Sequence, residues 1–140
     1  MQGKCFVDTN IFGYALLESK NERKKCELAQ SLLKEIYDSG MVISTQVINE
    51  LYCVFKKYHI EDTIIREKLD TIIQSSHCCV IRIETIRRAW DVIAKYHFSY
   101  WDSMIIASAL EHGCKVLFTE DMQNEQIIDG QLRIVNPFSE

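Results

Sequence analysis

Short apolar runs recur along this chain with helix-period stretches between them, and that alternation limits the fold more than any other feature. Lys4–Asp8, Met41–Ser44, Lys115–Thr119 and Leu132–Val135 each read as a brief buried strand bounded by turn or cap residues, and Val80–Ile83 reads as a weaker one. Strands alternating with helices imply a parallel sheet whose faces are both covered. The expected fold is therefore a three-layer α/β/α domain around a central parallel sheet of about five strands.

The helices follow from periodicity and stop signals. A short one fits Ile11–Leu17. A longer one runs from Asn21 toward Tyr37 on a stripe of Leu28, Leu32, Leu33 and Ile36, and Ser39-Gly40 should end it. Ser44 or Thr45 can cap the next, which carries Val47, Ile48, Leu51, Tyr52 and Phe55. Asp62–Gln74, Thr85–Tyr96 and Ser99–His112 complete the set, the last ending at Gly113. No internal repeat or linker divides the 140 residues, so residues 1–140 read as one domain.

Charge and cysteine usage exclude several functions. The net charge is −4, so any contact with a polyanion must come from local basic patches or bound cations. Arg23-Lys24-Lys25, Lys56-Lys57 and Arg87-Arg88 are the candidate patches, although each also suits an ordinary solvated helix face. Six cysteines occur without an export signal and read as reduced thiols rather than disulfides. None forms a Cys-x-x-Cys pair, which argues against structural zinc. No apolar run reaches membrane-spanning length, and a cytoplasmic location is expected.

The carboxylates carry the chemistry. Asp8 ends the first strand and Asp121 follows the fourth, so both should lie beyond the carboxyl edge of the sheet, where such sheets form their sites. Each also has a plain structural reading, as a cap residue and as a loop residue. Asp102 stands in a helix that is apolar nearly all round, and a buried acid there needs a partner. Ser99-Tyr-Trp-Asp102 also fits a capping box. Glu50 points about 130° from the centre of its helix stripe, and periodicity alone gives it no role. Tyr100 and Trp101 flank Asp102 and could stack a base, with Trp101 expected in the core and Tyr100 freer.

Taken in order, Phe6–Phe12, Ile43–Leu51, Ser99–Leu110, Phe118–Gln123 and Leu132–Phe138 resemble the PIN-domain nucleases, and within them the VapC-type toxins of type II toxin–antitoxin modules. The resemblance implies an endoribonuclease whose catalytic acids are Asp8, Glu50, Asp102 and Asp121. Asp8, Asp102 and Asp121 become ligands of Mg²⁺ or Mn²⁺, while Thr9, Asn10 and Thr119 become positioning residues for substrate or water. It also implies a homodimer, an RNA substrate and a VapB-like antitoxin partner. The sequence departs from the pattern at Asn124-Glu125, and Glu120 is an added acid without a role in it. An oxygen-only donor set suits Mg²⁺ or Mn²⁺ rather than zinc, which agrees with the implied chemistry.

Three alternatives remain at this point. A housekeeping PIN-domain RNA-processing nuclease would carry the same acids, and a non-catalytic PIN-like module would keep the fold for binding RNA or protein. A haloacid-dehalogenase-type phosphatase would need an Asp at position 10, where this chain has Asn.

Overall fold

The computed structural model describes residues 3–17 and 20–139. Six strands form one sheet in the order β3-β2-β1-β4-β6-β5. They are β1 (Cys5–Val7), β2 (Met41–Ser44), β3 (His77–Cys79), β4 (Val116–Phe118), β5 (Ile127–Ile128) and β6 (Leu132–Val135). All neighbours are parallel except β5 and β6. Every residue of β1 and β2 is buried, as expected of central strands covered on both faces.

Among the described residues, six α-helices flank the sheet: α1 (Thr9–Leu16), α2 (Arg23–Gly40), α3 (Thr45–Lys57), α4 (Asp62–Ser75), α5 (Ile83–Tyr96) and α6 (Tyr100–Glu111). A 3-10 turn, Lys20–Glu22, precedes α2. Val47, Leu51 and Phe55 are the buried face of α3, at helical spacing. The residues Ser103–Leu110 of α6 are all buried, so this helix has no solvent face beyond its first turn. A second, smaller apolar cluster of Ala89, Met104 and Ala107 joins α5 to α6. Gly40 closes α2 with φ +96°, a conformation that any other residue adopts only with strain, and β2 starts at the next position.

Two strand assignments need correction. The third strand is His77–Cys79, three residues before the Val80–Ile83 expected from β-branched content. β2 ends at Ser44, opposite Cys79, so the ladder has no partner for Val80. Val80 and Ile83 are instead exposed, and Ile83 opens α5. The other correction is β5, which adds a sixth strand antiparallel to β6. Its connection passes through Asp129 and Gly130, both at positive φ, and an Asp-Gly pair before an apolar run is a hairpin signal present in the sequence itself.

The topology fixes where a site can form. From β1 the chain winds outward to β2 and β3, then returns to place β4 on the other side of β1. β1 and β4 therefore flank the switch point of the sheet, and Asp8 and Thr119 follow their carboxyl ends directly.

Candidate active site

Asp8 is 4% exposed and serves as N-cap of α1, its Oδ1 accepting from the Thr9 N–H at 2.7 Å. Its other oxygen accepts from the Thr119 hydroxyl at 2.8 Å. Asp8 is thus both the cap of α1 and a hydrogen-bond partner of the residue that follows β4. Thr119, fully buried, also receives the Asp121 N–H at 3.1 Å, so one hydroxyl links the first and last acids. Asn10 closes the set: its Nδ2 donates to Asp121 Oδ2 at 3.0 Å, and its Oδ1 accepts from the Glu120 N–H at 3.2 Å.

Glu50 reaches this corner from α3. Thr9 Oγ1 donates to its Oε1 at 2.6 Å, and Gln46 Nε2 donates to its Oε2 at 3.2 Å. The flank position that gives Glu50 no role by periodicity is the side of α3 that faces α1. Asp102 sits half-buried in the first turn of α6, where Ser99 caps the helix by accepting from the Asp102 N–H at 3.2 Å.

Asp8 and Asp102 both feel the charges of Glu50 and Asp121. Burial is the main cause that pushes the Asp8 carboxyl up to about 7; Thr119 and Thr9 pull it back, and the charges of Glu50 and Asp121 add to the rise. Asp102 is also raised, again mainly by burial, with the Asp121 and Glu50 charges contributing. Solvent exclusion outweighs mutual repulsion at both. A groove of about 760 Å³ opens over this corner, and Glu50 and Asp121 line it with Thr9, Asn10 and Trp101.

Among the described residues, no three His, Cys, Asp or Glu side chains are gathered closely enough to hold a metal ion by themselves. A Mg²⁺ ion does not need such a cage, since it usually takes one or two carboxylates and keeps several waters. Four electrostatically coupled carboxylates without sulfur or imidazole fit that demand.

A family model described as the PIN domain matches residues 5–127. The chain belongs to the PIN-domain family. Comparison with curated proteins finds no match. Among solved structures, the fold of this PIN domain is similar to a toxin–antitoxin complex from Klebsiella pneumoniae, with 20% identity, 97% of this chain and 99% of that one covered, and TM-score 0.73. It is also similar to VapBC2 from Rickettsia felis, bound to a promoter DNA fragment, at 16% identity, 95% and 99% coverage and TM-score 0.68. A third is VapC20 from Mycobacterium tuberculosis, described as a sarcin–ricin loop cleaving toxin, at 16% identity, 84% and 91% coverage and TM-score 0.62.

Other residues of the PIN domain are placed against expectation. Trp101 is 61% exposed and lines the groove, not the core, because the first turn of α6 projects beyond the buried part of the helix. Glu120 turns away from the acids and pairs with Lys25, while accepting from the Tyr14 hydroxyl at 2.7 Å. Burial would raise its carboxyl, but the Lys25 and Tyr14 bonds outweigh that and hold it below the usual range. Lys25 is thereby tied into the fold, and its nitrogen stands 5.0 Å from the Tyr14 ring centroid. Arg23 and Lys24 of the same basic run remain on the surface. All six cysteines are free thiols, and burial pushes Cys114 up to about 12. No helix among the described residues is long and apolar enough to cross a membrane.

Proposed function

We propose that this chain is a single PIN domain acting as a Mg²⁺- or Mn²⁺-dependent endoribonuclease, and that it is the toxin of a type II toxin–antitoxin module. The observation that carries the nuclease reading is the set of hydrogen bonds by which Thr119, Asn10 and Thr9 hold Asp8, Asp121 and Glu50 at the switch point of the sheet, with Asp102 near enough for its carboxyl to feel Asp121 and Glu50. Asp8, Asp102 and Asp121 would hold the cation, and Glu50 faces the same groove. The bound cation would supply an activated water and neutralise charge on the phosphate.

The chain's own residues do the rest. The Asp8 carboxyl, raised to about 7, is divided between its protonated and charged forms near neutral pH, and the charged form is the one that would hold a cation. The Thr119 hydroxyl fixes one oxygen of Asp8 and the backbone of Asp121 at once. Asn10 holds the Asp121 carboxylate, and Thr9 holds Glu50, so acids from distant parts of the chain keep one geometry. Such fixed groups need no rearrangement when charge develops on a phosphate.

The toxin role draws on the similar structures, whose descriptions name toxins and toxin–antitoxin complexes. Their likeness is one of fold, so a growth experiment carries this part. On the toxin reading the chain is a cytoplasmic homodimer that binds a VapB-like antitoxin.

The test uses purified protein, a mixed RNA pool, and Mg²⁺ or Mn²⁺. Cleavage should appear with metal, stop with EDTA, and fall by orders of magnitude in Asp102→Asn. Cleavage that persists through both changes overturns the nuclease reading. Expression of the active protein alone should halt growth, and harmless expression would favour the housekeeping alternative.

A further inference from the structure

Trp101 breaks the burial pattern of its own helix. From Ser103 to Leu110 every residue of α6 is buried, yet the indole two positions earlier is 61% exposed. Trp90 on α5 is exposed to a similar degree, 56%, but only Trp101 lines the groove that holds Glu50 and Asp121. The Trp101 ring is also supported. Tyr100 meets it edge-on with ring centroids 5.0 Å apart, and Gln46 Nε2 donates to the Trp101 carbonyl at 3.3 Å. The same Gln46 amide bonds Glu50, so the indole and a site acid are referenced to one side chain.

The remaining groove lining points to the chemistry of the occupant. The lining surface is mostly apolar, with the polar groups of Thr9, Asn10, Thr45, Gln46 and Asn49 set into it, and no lysine or arginine lines the groove among the described residues. Gln46 is 6% exposed, and its Oε1 has no donor, although both hydrogen bonds of its Nε2 are made. A buried acceptor without a donor is costly, and a turn of the Gln46 side chain toward the groove would let an N–H of a ligand satisfy it. A flat aromatic surface beside unused carboxamide chemistry matches a nucleobase, which has a π-face and a polar edge of donors and acceptors.

We propose that this part of the groove is a nucleobase subsite: an unpaired base of a single-stranded RNA stacks on Trp101 and turns its polar edge toward Gln46 and Asn49. The proposal rests on the ribonuclease reading and adds to it a requirement for an unpaired base next to the cleaved phosphate. Duplex RNA is a poor substrate on this account, because its bases are already stacked on each other.

The test separates this subsite from the cleavage chemistry. In an Asp8→Asn, Trp90→Phe protein, Trp101 is the sole indole, and its fluorescence is titrated in Mg²⁺ with three probes. These are a mixed-sequence single-stranded RNA, the same backbone made abasic, and a duplex of the same sequence. The single strand should quench the indole, and the abasic strand and duplex should not. In the otherwise unaltered protein, Trp101→Ala should raise KM for RNA roughly tenfold or more with kcat little changed. Trp101→Phe should keep most of the affinity, and Trp90→Phe should change nothing. Equal quenching by the abasic strand, or an unchanged KM in Trp101→Ala, overturns the subsite. Silence toward RNA, with the indole shielded in a complex with a protein partner, also overturns it and assigns the surface to protein binding. If the parent does not cleave RNA but base-dependent quenching persists, the nuclease reading fails and the subsite stands.

Discussion

At the β1–β4 corner, Asp8, Asn10, Thr119 and Asp121 share one closed set of hydrogen bonds, whereas at the start of α6 Asp102 and Trp101 stand on a single capped turn. The corner draws its rigidity from buried strands, with Asp8 N donating to Phe118 O at 3.0 Å as a last rung of the ladder. The α6 turn is held by its Ser99 cap and by the Gln46 bond to a carbonyl. One half of the site is therefore held by a closed network, and the other by a helix cap and one side-chain bond.

The strongest test of the contrast removes one acid from each half. Asp8→Asn and Asp102→Asn should both lower metal-dependent RNA cleavage by orders of magnitude. Their metal-free melting at pH 8 should differ in size: Asp102→Asn should gain less stability than Asp8→Asn, because both charged carboxyls are disfavoured but Asp102 is only half-buried. Asp8→Asn should be more stable than the parent at pH 8, because it removes a buried charge.

The pH dependence follows from the same group. The folded Asp8 carboxyl has its pKa raised to about 7 from the ordinary aspartate value of 3.8. Between those values the folded state holds a proton that the unfolded state has lost, so apo stability falls as pH rises through this window. The full effect is on the order of 4 kcal/mol. Melting in EDTA from pH 5 to pH 8 should show this decline in the parent and a much smaller one in Asp8→Asn. Parallel curves would mean that Asp8 is not the buried acid that governs the corner.

Thr119→Val tests the link itself. It preserves shape but removes a donor to Asp8 and an acceptor for Asp121 N and Asn10, costing about 1–3 kcal/mol of stability. Activity should fall roughly 10–100-fold through misplaced acids. An unchanged melting point and rate would remove Thr119 as the link between the two strands. The smallest effect is expected from Glu120→Gln, which weakens the Lys25 and Tyr14 contacts next to Asp121 without touching the acids. A few-fold loss of activity is expected; a loss as large as that of Asp8→Asn would make Glu120 part of the chemistry.

The same contrast explains how far the sequence makes the site legible. Strand ends and turn residues announce Asp8 and Asp121, because a parallel sheet gathers at one edge the residues that come directly after its strands. Periodicity reports burial averaged along an element, so it misplaces both helix positions where burial changes locally. Glu50 lies on the side of α3 that meets α1, and only family resemblance singles it out. Trp101 lies in the first turn of a buried helix, where apolar neighbours in sequence are not neighbours in the core. The strand error at Val80–Ile83 has a related cause: β-branched content suggests pairing, but pairing ends where β2 runs out of residues.

The bond between Asp8 and Thr119 joins positions 111 residues apart in the chain. During synthesis at about 5–20 residues per second, the first acid emerges roughly 6–20 s before its partner strand exists. Through that interval Asp8 has neither the Thr119 hydroxyl nor the β4 neighbour that complete its surroundings. The candidate site of a nascent copy is therefore incomplete until β4 has left the ribosome. On the proposed toxin reading, RNA cleavage would begin only with copies that have released β4, and an antitoxin would have that delay in which to reach each of them.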